Sequence, residues 1–150
     1  MRLLKNHRWV ILALAWTLVI FAFSLQNGED SLSLSLAVFN TIASIFPQLS
    51  DPAIQAFAVP AIRKSAHFTE YFILGALYAK ADPDTPLDLL EIGLFIPFLD
   101  EGLQRFVDGR GSSILDVMID LAGYCLGLWL FGGFKQRRLQ RYFKKQETTE

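Results

Sequence analysis

The side chains that could carry chemistry in this sequence fall into three short groups, each inside an otherwise apolar stretch. The first group holds Arg63, Lys64, His67, Glu70 and Tyr71. On a helix these five residues lie within about 120° of arc, at 100° per residue. An imidazole titrates near neutral pH, and His67 has Lys64 one turn before it and Glu70 one turn after it. This spacing predicts a proton-transfer role for His67 and Glu70.

The second and third groups are acidic. Asp100, Glu101 and Gln104 lie within about 100° of arc on a helix, and Asp116 and Asp120 are neighbours one turn apart. Carboxylates are hard oxygen ligands that suit Mg²⁺, Ca²⁺ or Mn²⁺, and adding the imidazole of His67 would also permit Zn²⁺. The predicted metal ligands are therefore Asp100, Glu101, Asp116 and Asp120, and a divalent cation is the cofactor left open.

Four apolar stretches are long enough to cross the roughly 30 Å hydrocarbon layer of a bilayer. They are residues 9–25, 62–79, 87–106 and 114–131, with Pro97 inside the third. We therefore predict an all-α fold: a polytopic membrane protein with a four-helix transmembrane bundle, formed by residues 1–150 as a single domain. The first stretch follows a basic start, but its apolar run is longer than that of a signal peptide, so we expect it to be retained.

Composition excludes several other classes of protein. Hydrophobic residues make up 52% of the chain, which argues against disorder. One Cys argues against a disulfide scaffold, and one Cys with two His argues against a Cys/His zinc module. The formal net charge is -1, so we expect no nucleic-acid partner bound through a basic surface.

The distribution of Lys and Arg predicts the direction of the chain across the membrane. These residues cluster before residue 9, at Lys80 and in the tail 135–150, whereas residues 26–61 contain none. Basic loops favour the cytoplasmic side, so we expect both termini in the cytoplasm and the three groups near the exoplasmic surface. The basic tail is expected to bind the anionic inner leaflet, which makes membrane lipid a predicted partner.

Shorter patterns predict the remaining elements. Leu36, Phe39 and Ile42 repeat at helical spacing before Pro47, and Pro52 indicates a second helix start. We expect two short interfacial helices on the outer side. Ser112 and Ser113 precede the fourth stretch as candidate N-caps. Gly123 and Gly127 form a GxxxG pair that indicates close helix approach, with a partner in the same chain or in a homodimer.

With this topology the three groups reach one membrane depth. Each ionisable residue in a span costs about 2.5–3.5 kcal/mol unless it has a partner or a wet cavity, so a shared polar pocket open to the exoplasmic side is expected. The alternative is that the charges form ion pairs that only hold the helices together. Gly109 and Gly111 flank Arg110 and indicate a turn that directs it. The candidate catalytic residues are His67, Glu70, Lys64, Asp100 and Glu101, and the candidate substrate-binding residues are Arg63, Gln104, Arg110 and Tyr71.

Three motifs in this order resemble the VanZ-like family. They read Arg63-Lys64-x-x-His67-Phe68-x-Glu70-Tyr71-x-x-Leu74-Gly75, Asp100-Glu101-x-x-Gln104-x-Phe106-Val107-x-Gly109-Arg110 and Asp116-Val117-x-x-Asp120-x-x-Gly123-x-x-x-Gly127. The stretch Phe23-Ser24-Leu25-Gln26-Asn27-Gly28, with Ser31 and Ser35 after it, is similar to that family's first outer boundary. The resemblance implies a multi-pass protein of the bacterial cytoplasmic membrane. The founding member is associated with low-level resistance to the glycopeptide teicoplanin, which acts outside the cell on peptidoglycan precursors.

Three functions are compatible with these features. In the first, the pocket binds or modifies a cell-envelope precursor such as a lipid-linked sugar or its phosphate. In the second, the ionic network is structural and the protein acts through a partner protein. In the third, His67 and the acids form the relay of a proton-coupled transporter, which with four spans would need a homodimer. Familiar catalytic signatures are missing from the sequence, so no reaction is predicted.

Overall fold

The computed structural model describes residues 2–81 and 88–147, with side chains over residues 8–81 and 91–132. Every regular element in that part of the chain is helical, which confirms the all-α prediction. The elements are α1 (Arg2–Ser24), α2 (Gly28–Ile45), a 3₁₀ turn (Pro47–Leu49), α3 (Pro52–Ala81), α4 (Asp88–Gln104) and α5 (Ile114–Glu147). The predicted loop after residue 81, the start of the predicted span 87–106 and the side chains of the basic tail lie outside the described residues.

Local chemistry accounts for the ends of α2 and the start of α3. The Asn27 side chain accepts a hydrogen bond of 2.7 Å from the backbone N–H of Asp30, which caps α2. The helix ends at Ile45 because Pro47 cannot donate a backbone hydrogen bond. α3 begins at Pro52, where the missing N–H costs nothing, and the Asp51 carboxylate accepts from the N–H of Ala53 at 2.7 Å.

The second short helix predicted from Pro52 is not a separate element. α3 runs without a break through Pro60, so it joins that segment to the predicted span 62–79. An interior proline removes one helical hydrogen bond, yet the helix continues past it to Ala81. The first half packs against α2 through Val59, which is buried with Phe39 and Ala43. The second half packs in the main core of the bundle.

The closest helix pair is α3 with α5, and glycines permit it. A Cβ atom on Gly123 or Gly127 would overlap the backbone carbonyl oxygen of Phe68 or Phe72 in α3. A Cβ on Gly75 would likewise overlap the carbonyl oxygen of Tyr124 in α5. The GxxxG pair therefore allows the predicted close approach, and its partner is α3 of the same chain.

Membrane character is clearest in α5. Among the described residues, Ile114–Gly132 is the segment that is long and apolar enough by itself to cross a bilayer. The bent pair Arg8–Ser24 and Gly28–Ile45 counts as a second candidate only if it is one broken span, and its two axes meet at 103°. The predicted span 62–79 carries Arg63, Lys64 and Glu70. The length and composition of the described helices therefore do not by themselves confirm the four predicted spans.

Candidate functional site

Two fully buried carboxylates meet a histidine at the centre of the polar site. Asp100 of α4 and Asp120 of α5 are each 0% exposed. His67 of α3 lies beside them, with its Nδ1 atom 3.8 Å from Asp120 Oδ1. Glu70, one turn further along α3, has its Oε2 atom 3.9 Å from the same nitrogen. Three helices thus bring three carboxyl groups and one imidazole into a single cluster.

A hydrogen-bond network positions Asp100 from the α1 side. Gln104, one turn later on α4 and 2% exposed, donates from Nε2 to Asp100 Oδ2 at 3.2 Å. The same amide group lies 3.4 Å from the hydroxyl oxygen of Ser24, at the end of α1. Tyr71 is fully buried beside His67 and Glu70 on α3, and its side chain faces Asp100. Three elements therefore converge on one carboxylate.

Two other acidic residues are held by partners near the start of α5. Asp116 Oδ1 accepts a hydrogen bond of 2.5 Å from Lys64 Nζ in α3. Glu101 accepts a hydrogen bond from the backbone N–H of Ser113, just before α5. Ser113 also accepts from the N–H of Leu115 through its side chain, as predicted for an N-cap. These contacts join α4 and α3 to the first turn of α5.

A cavity of about 220 Å³ lies directly beside the cluster. It is bounded by α2, by the middle of α3, by the loop before α5 and by the first turn of α5. The residues that line it are Leu32, Ser35, Val59, Pro60, Arg63, Lys64, His67, Gly111 and Asp116. His67 belongs to both the cavity wall and the cluster, so the imidazole connects the two.

The loop between α4 and α5 carries Arg110. Gly109 adopts a φ of 73°, a conformation that favours glycine, so the predicted turn is present. Arg110 Nη2 donates to the carbonyl oxygen of Phe23 at 2.9 Å, while its Nε and Nη1 atoms are buried without a hydrogen-bond partner among the described residues. Burial, and then the like charge of Arg63, lower the pKa of the Arg110 guanidinium. The carboxylates of Asp100, Glu70 and Glu101 act in the opposite direction, and a bound anion would add to their effect.

The structure separates the predicted metal ligands into two sets. Asp100 and Asp120 come together with His67, and one potential ligand atom from each lies within 4.8 Å of the other two. Glu101 and Asp116, by contrast, are engaged by the Ser113 N–H and by Lys64. The remaining candidates, which are Glu70, Tyr71, Arg63, Gln104 and Arg110, all border the cluster or the cavity.

The VanZ/LLP1 family profile matches residues 9–135, a range that contains every residue of the site. The chain belongs to the VanZ/LLP1 family. This result confirms the resemblance that the three motifs indicated. Neither curated proteins nor solved structures give a significant match to the chain.

Some contacts of this VanZ/LLP1 member were not anticipated from the motifs. Ser24 is 1% exposed and neighbours Gln104, although the resemblance had placed it only at a boundary. The indole N–H of Trp16 donates to the carbonyl oxygen of Glu70 at 2.8 Å. The N–H of Gly28 donates to the carbonyl oxygen of Asp108 at 2.9 Å. The sequence signal for the contact between Ser24 and Gln104 is a serine at the end of an apolar stretch.

Proposed function

We propose that this VanZ/LLP1 protein crosses the bacterial cytoplasmic membrane four times, through α1, the second half of α3, α4 and α5. The distribution of side chains supports this proposal, because large apolar groups point outward while carboxylates point inward. Examples are Leu18 on α1, Phe95 on α4 and Trp129 on α5, which are 69%, 65% and 72% exposed. Such a surface is stable when it contacts lipid, whereas in water it would favour association. Asp100 and Asp120 lie on the inside of the same bundle.

In this topology α2 lies along the outer surface of the membrane. Its axis meets that of α1 at 103°, so an upright α1 places α2 close to the membrane plane. α2 also carries exposed apolar side chains, such as Leu34 and Ile45, and an acidic first turn. An amphipathic position at the interface suits this composition. The cavity then opens beneath α2, near the exoplasmic surface, with both termini in the cytoplasm.

We propose that the cavity binds the anionic head group of a lipid-linked cell-envelope precursor. The observation that carries the proposal is the placing of Arg63, Lys64 and His67 along one cavity wall, with Arg110 close by. Nε and Nη1 of Arg110 are buried without hydrogen-bond partners among the residues that the structure describes, and a guanidinium group can bind two phosphate oxygens at once. An apolar chain attached to the head group would remain in the bilayer beside the exposed apolar side chains of the bundle.

Within this proposal the cationic residues bind and the central residues act on protons. Arg63, Lys64 and Arg110 hold the anionic group, and Gln104 and Tyr71 orient Asp100. His67 lies between Glu70 and Asp120, at 3.9 and 3.8 Å, so it can exchange a proton with either carboxylate once a ligand shortens these distances. This arrangement is compatible with binding alone or with binding followed by proton transfer.

Binding of a polyprenyl pyrophosphate to the full chain in lipid nanodiscs tests the proposal. We expect Arg63→Gln and Arg110→Gln each to weaken binding by about tenfold or more, because each removes a charge-assisted contact worth roughly 1.5–3 kcal/mol. Arg105→Gln is the matched control, since Arg105 is exposed and does not line the cavity. Equal binding by all three variants would overturn the proposal.

The same variants separate binding from a purely structural role of the charges. If the network only holds the helices together, Arg63→Gln should lower the folded yield and leave the binding of the folded fraction unchanged. Expression of the chain in a teicoplanin-sensitive bacterium adds a cellular readout. There we expect reduced sensitivity with the native sequence and loss of that effect with His67→Ala at normal protein levels.

A further inference from the structure

A cluster of three potential metal ligands lies beside the cavity, and each ligand comes from a different helix. Ligand atoms of His67 from α3, Asp100 from α4 and Asp120 from α5 lie within 4.8 Å of one another. Both aspartates are fully buried and His67 is partly buried. A ligand set drawn from three helices holds its geometry through the packing of the bundle, which is how a rigid cation site is built.

The atoms at the centre of this cluster lack partners. Among the described residues, both carboxylate oxygens of Asp120, Oδ1 of Asp100 and Nδ1 of His67 are buried without a hydrogen bond. The approach of 3.8 Å between His67 Nδ1 and Asp120 Oδ1 is too long for one. A buried carboxylate without compensation is strongly unfavourable. A cation placed between these two carboxylates and the unpartnered imidazole nitrogen would compensate all three groups at once.

We propose that His67, Asp100 and Asp120 bind a divalent transition-metal cation, with Zn²⁺ as the preferred ion. An imidazole nitrogen with two carboxylate oxygens suits Zn²⁺, whereas Mg²⁺ and Ca²⁺ prefer ligand sets made of oxygen alone. Three protein ligands leave a coordination position for water or for a ligand oxygen. His67 also lines the cavity, so that position is reached from the cavity.

The charge of Glu70 and the pairing of Lys64 favour this assignment, whereas Arg63 and Arg110, which act on His67 as like charges, oppose a cation there. Glu70 lies 3.9 Å from His67 Nδ1 and adds a third carboxylate near the cation. Lys64, which would compete with a cation, is instead bound to Asp116 at 2.5 Å. The Gln104 amide donates to Oδ2 of Asp100, which leaves Oδ1 facing the cluster. The site stands independently of the proposed function, because it needs no envelope precursor.

The metal ligands that the structure indicates differ from those predicted from the sequence, so single substitutions can distinguish the two sets. The sequence-based set was Asp100, Glu101, Asp116 and Asp120, with His67 only as an added ligand that would permit Zn²⁺. In the structure, Asp116 is held by Lys64 and Glu101 by a backbone N–H. His67→Ala and Asp120→Asn should therefore remove the site, whereas Asp116→Asn should keep it. Asp108→Asn is a further control, since Asp108 is exposed on the loop before α5.

The experiment uses the untagged full chain in detergent, stripped with a chelator and then titrated calorimetrically with Zn²⁺ or Mg²⁺. We expect one Zn²⁺ per chain and weaker binding of Mg²⁺. His67→Ala and Asp120→Asn should each lower the Zn²⁺ affinity by more than the roughly 10- to 100-fold typical of an outer-shell change. Asp108→Asn and His7→Ala, which removes the other histidine, should bind as the native chain does, and Asp116→Asn, which frees Lys64, should lose less affinity than Asp120→Asn.

A spectroscopic measurement keeps the test valid if a variant is unstable. Co²⁺ in place of Zn²⁺ should give visible d–d absorption that disappears in His67→Ala, and circular dichroism should show whether that variant keeps its helices. The proposal is overturned if the native chain binds no Zn²⁺, or if Asp116→Asn and Asp120→Asn lose it equally. It is also overturned if folded His67→Ala retains full affinity.

Discussion

At the scale of single residues, the site depends on buried polar groups that satisfy one another incompletely. Asp100 is fully buried and has Gln104 as a hydrogen-bond partner on one oxygen only. The cost of breaking such a contact is larger than its net value, because the remaining partner stays buried and unsatisfied. The site is therefore sensitive to changes in its supporting residues as well as in its charged ones.

Gln104→Leu tests this sensitivity. The substitution introduces an apolar side chain of similar size and removes the donor to Asp100 Oδ2, so we expect the free energy of unfolding to fall by about 1–3 kcal/mol. The measurement is denaturant unfolding in detergent, followed by circular dichroism. Gln48→Leu is the matched control, since Gln48 is exposed near the 3₁₀ turn. Equal stability of the two variants would mean that Gln104 does not support Asp100.

At the scale of elements, the packing of α3 on α5 determines where the central residues lie. Glycines on both helices let the two backbones touch, and Tyr78 and Tyr124 close the interface with ring centroids 6.0 Å apart. His67 is one residue before Phe68, whose carbonyl oxygen contacts Gly123, and Asp120 is one turn before Gly123. The close approach of the helices thus brings His67 and Asp120 together.

Gly127→Ala should open this interface. The added methyl group would overlap the backbone of α3 at Phe72, so we expect a loss of about 1–3 kcal/mol in the free energy of unfolding, typical of overpacking. Gly102→Ala in α4 is the matched control, because a Cβ atom at Gly102 would have no neighbouring atom within 4 Å. We expect that change to be neutral or slightly stabilising, since alanine favours helix. The measurement is thermal unfolding of both variants in detergent. If the Gly127→Ala protein is as stable as the native chain, the close contact with Phe72 is contradicted.

At the scale of the whole molecule, the chain has apolar side chains outside and carboxylates inside. Buried aspartates and exposed large apolar residues occur on the same helices, α4 and α5. In lipid the outer face is favourable, and the inner groups need each other, a cation or water. The proposed four-span topology and the polar site are therefore linked, because charged residues inside spans need a shared polar interior.

Labelling of introduced cysteines tests the topology. In a Cys125→Ser background, four spans predict that Ser50→Cys and Ser112→Cys react with a membrane-impermeant maleimide in intact cells. Thr148→Cys should react only after permeabilisation, because the C-terminal tail is expected in the cytoplasm. Reaction of position 112 from the same side as position 148 would mean that α5 does not cross the membrane. Reaction of all three in intact cells would contradict the cytoplasmic tail.

The sequence by itself determined the helical class, the family and the residue types of the site. Helical periodicity, proline positions and the three motifs depend only on neighbours along the chain, so they can be read without coordinates. The helix start at Pro52 was predicted correctly for the same reason. The continuity of α3 through Pro60 was missed, because it depends on the packing of Val59 against α2.

Only the tertiary structure decided which charged residues are partners. On sequence spacing, Lys64 pairs equally well with Asp116 or Asp120, and four acids qualify as metal ligands. The helix register set by Gly123 and Gly127 places Lys64 on Asp116 and leaves Asp120 to face His67. That choice depends on differences of about an ångström in how neighbouring helices are spaced and aligned. Residue spacing along one helix carries no information about these differences.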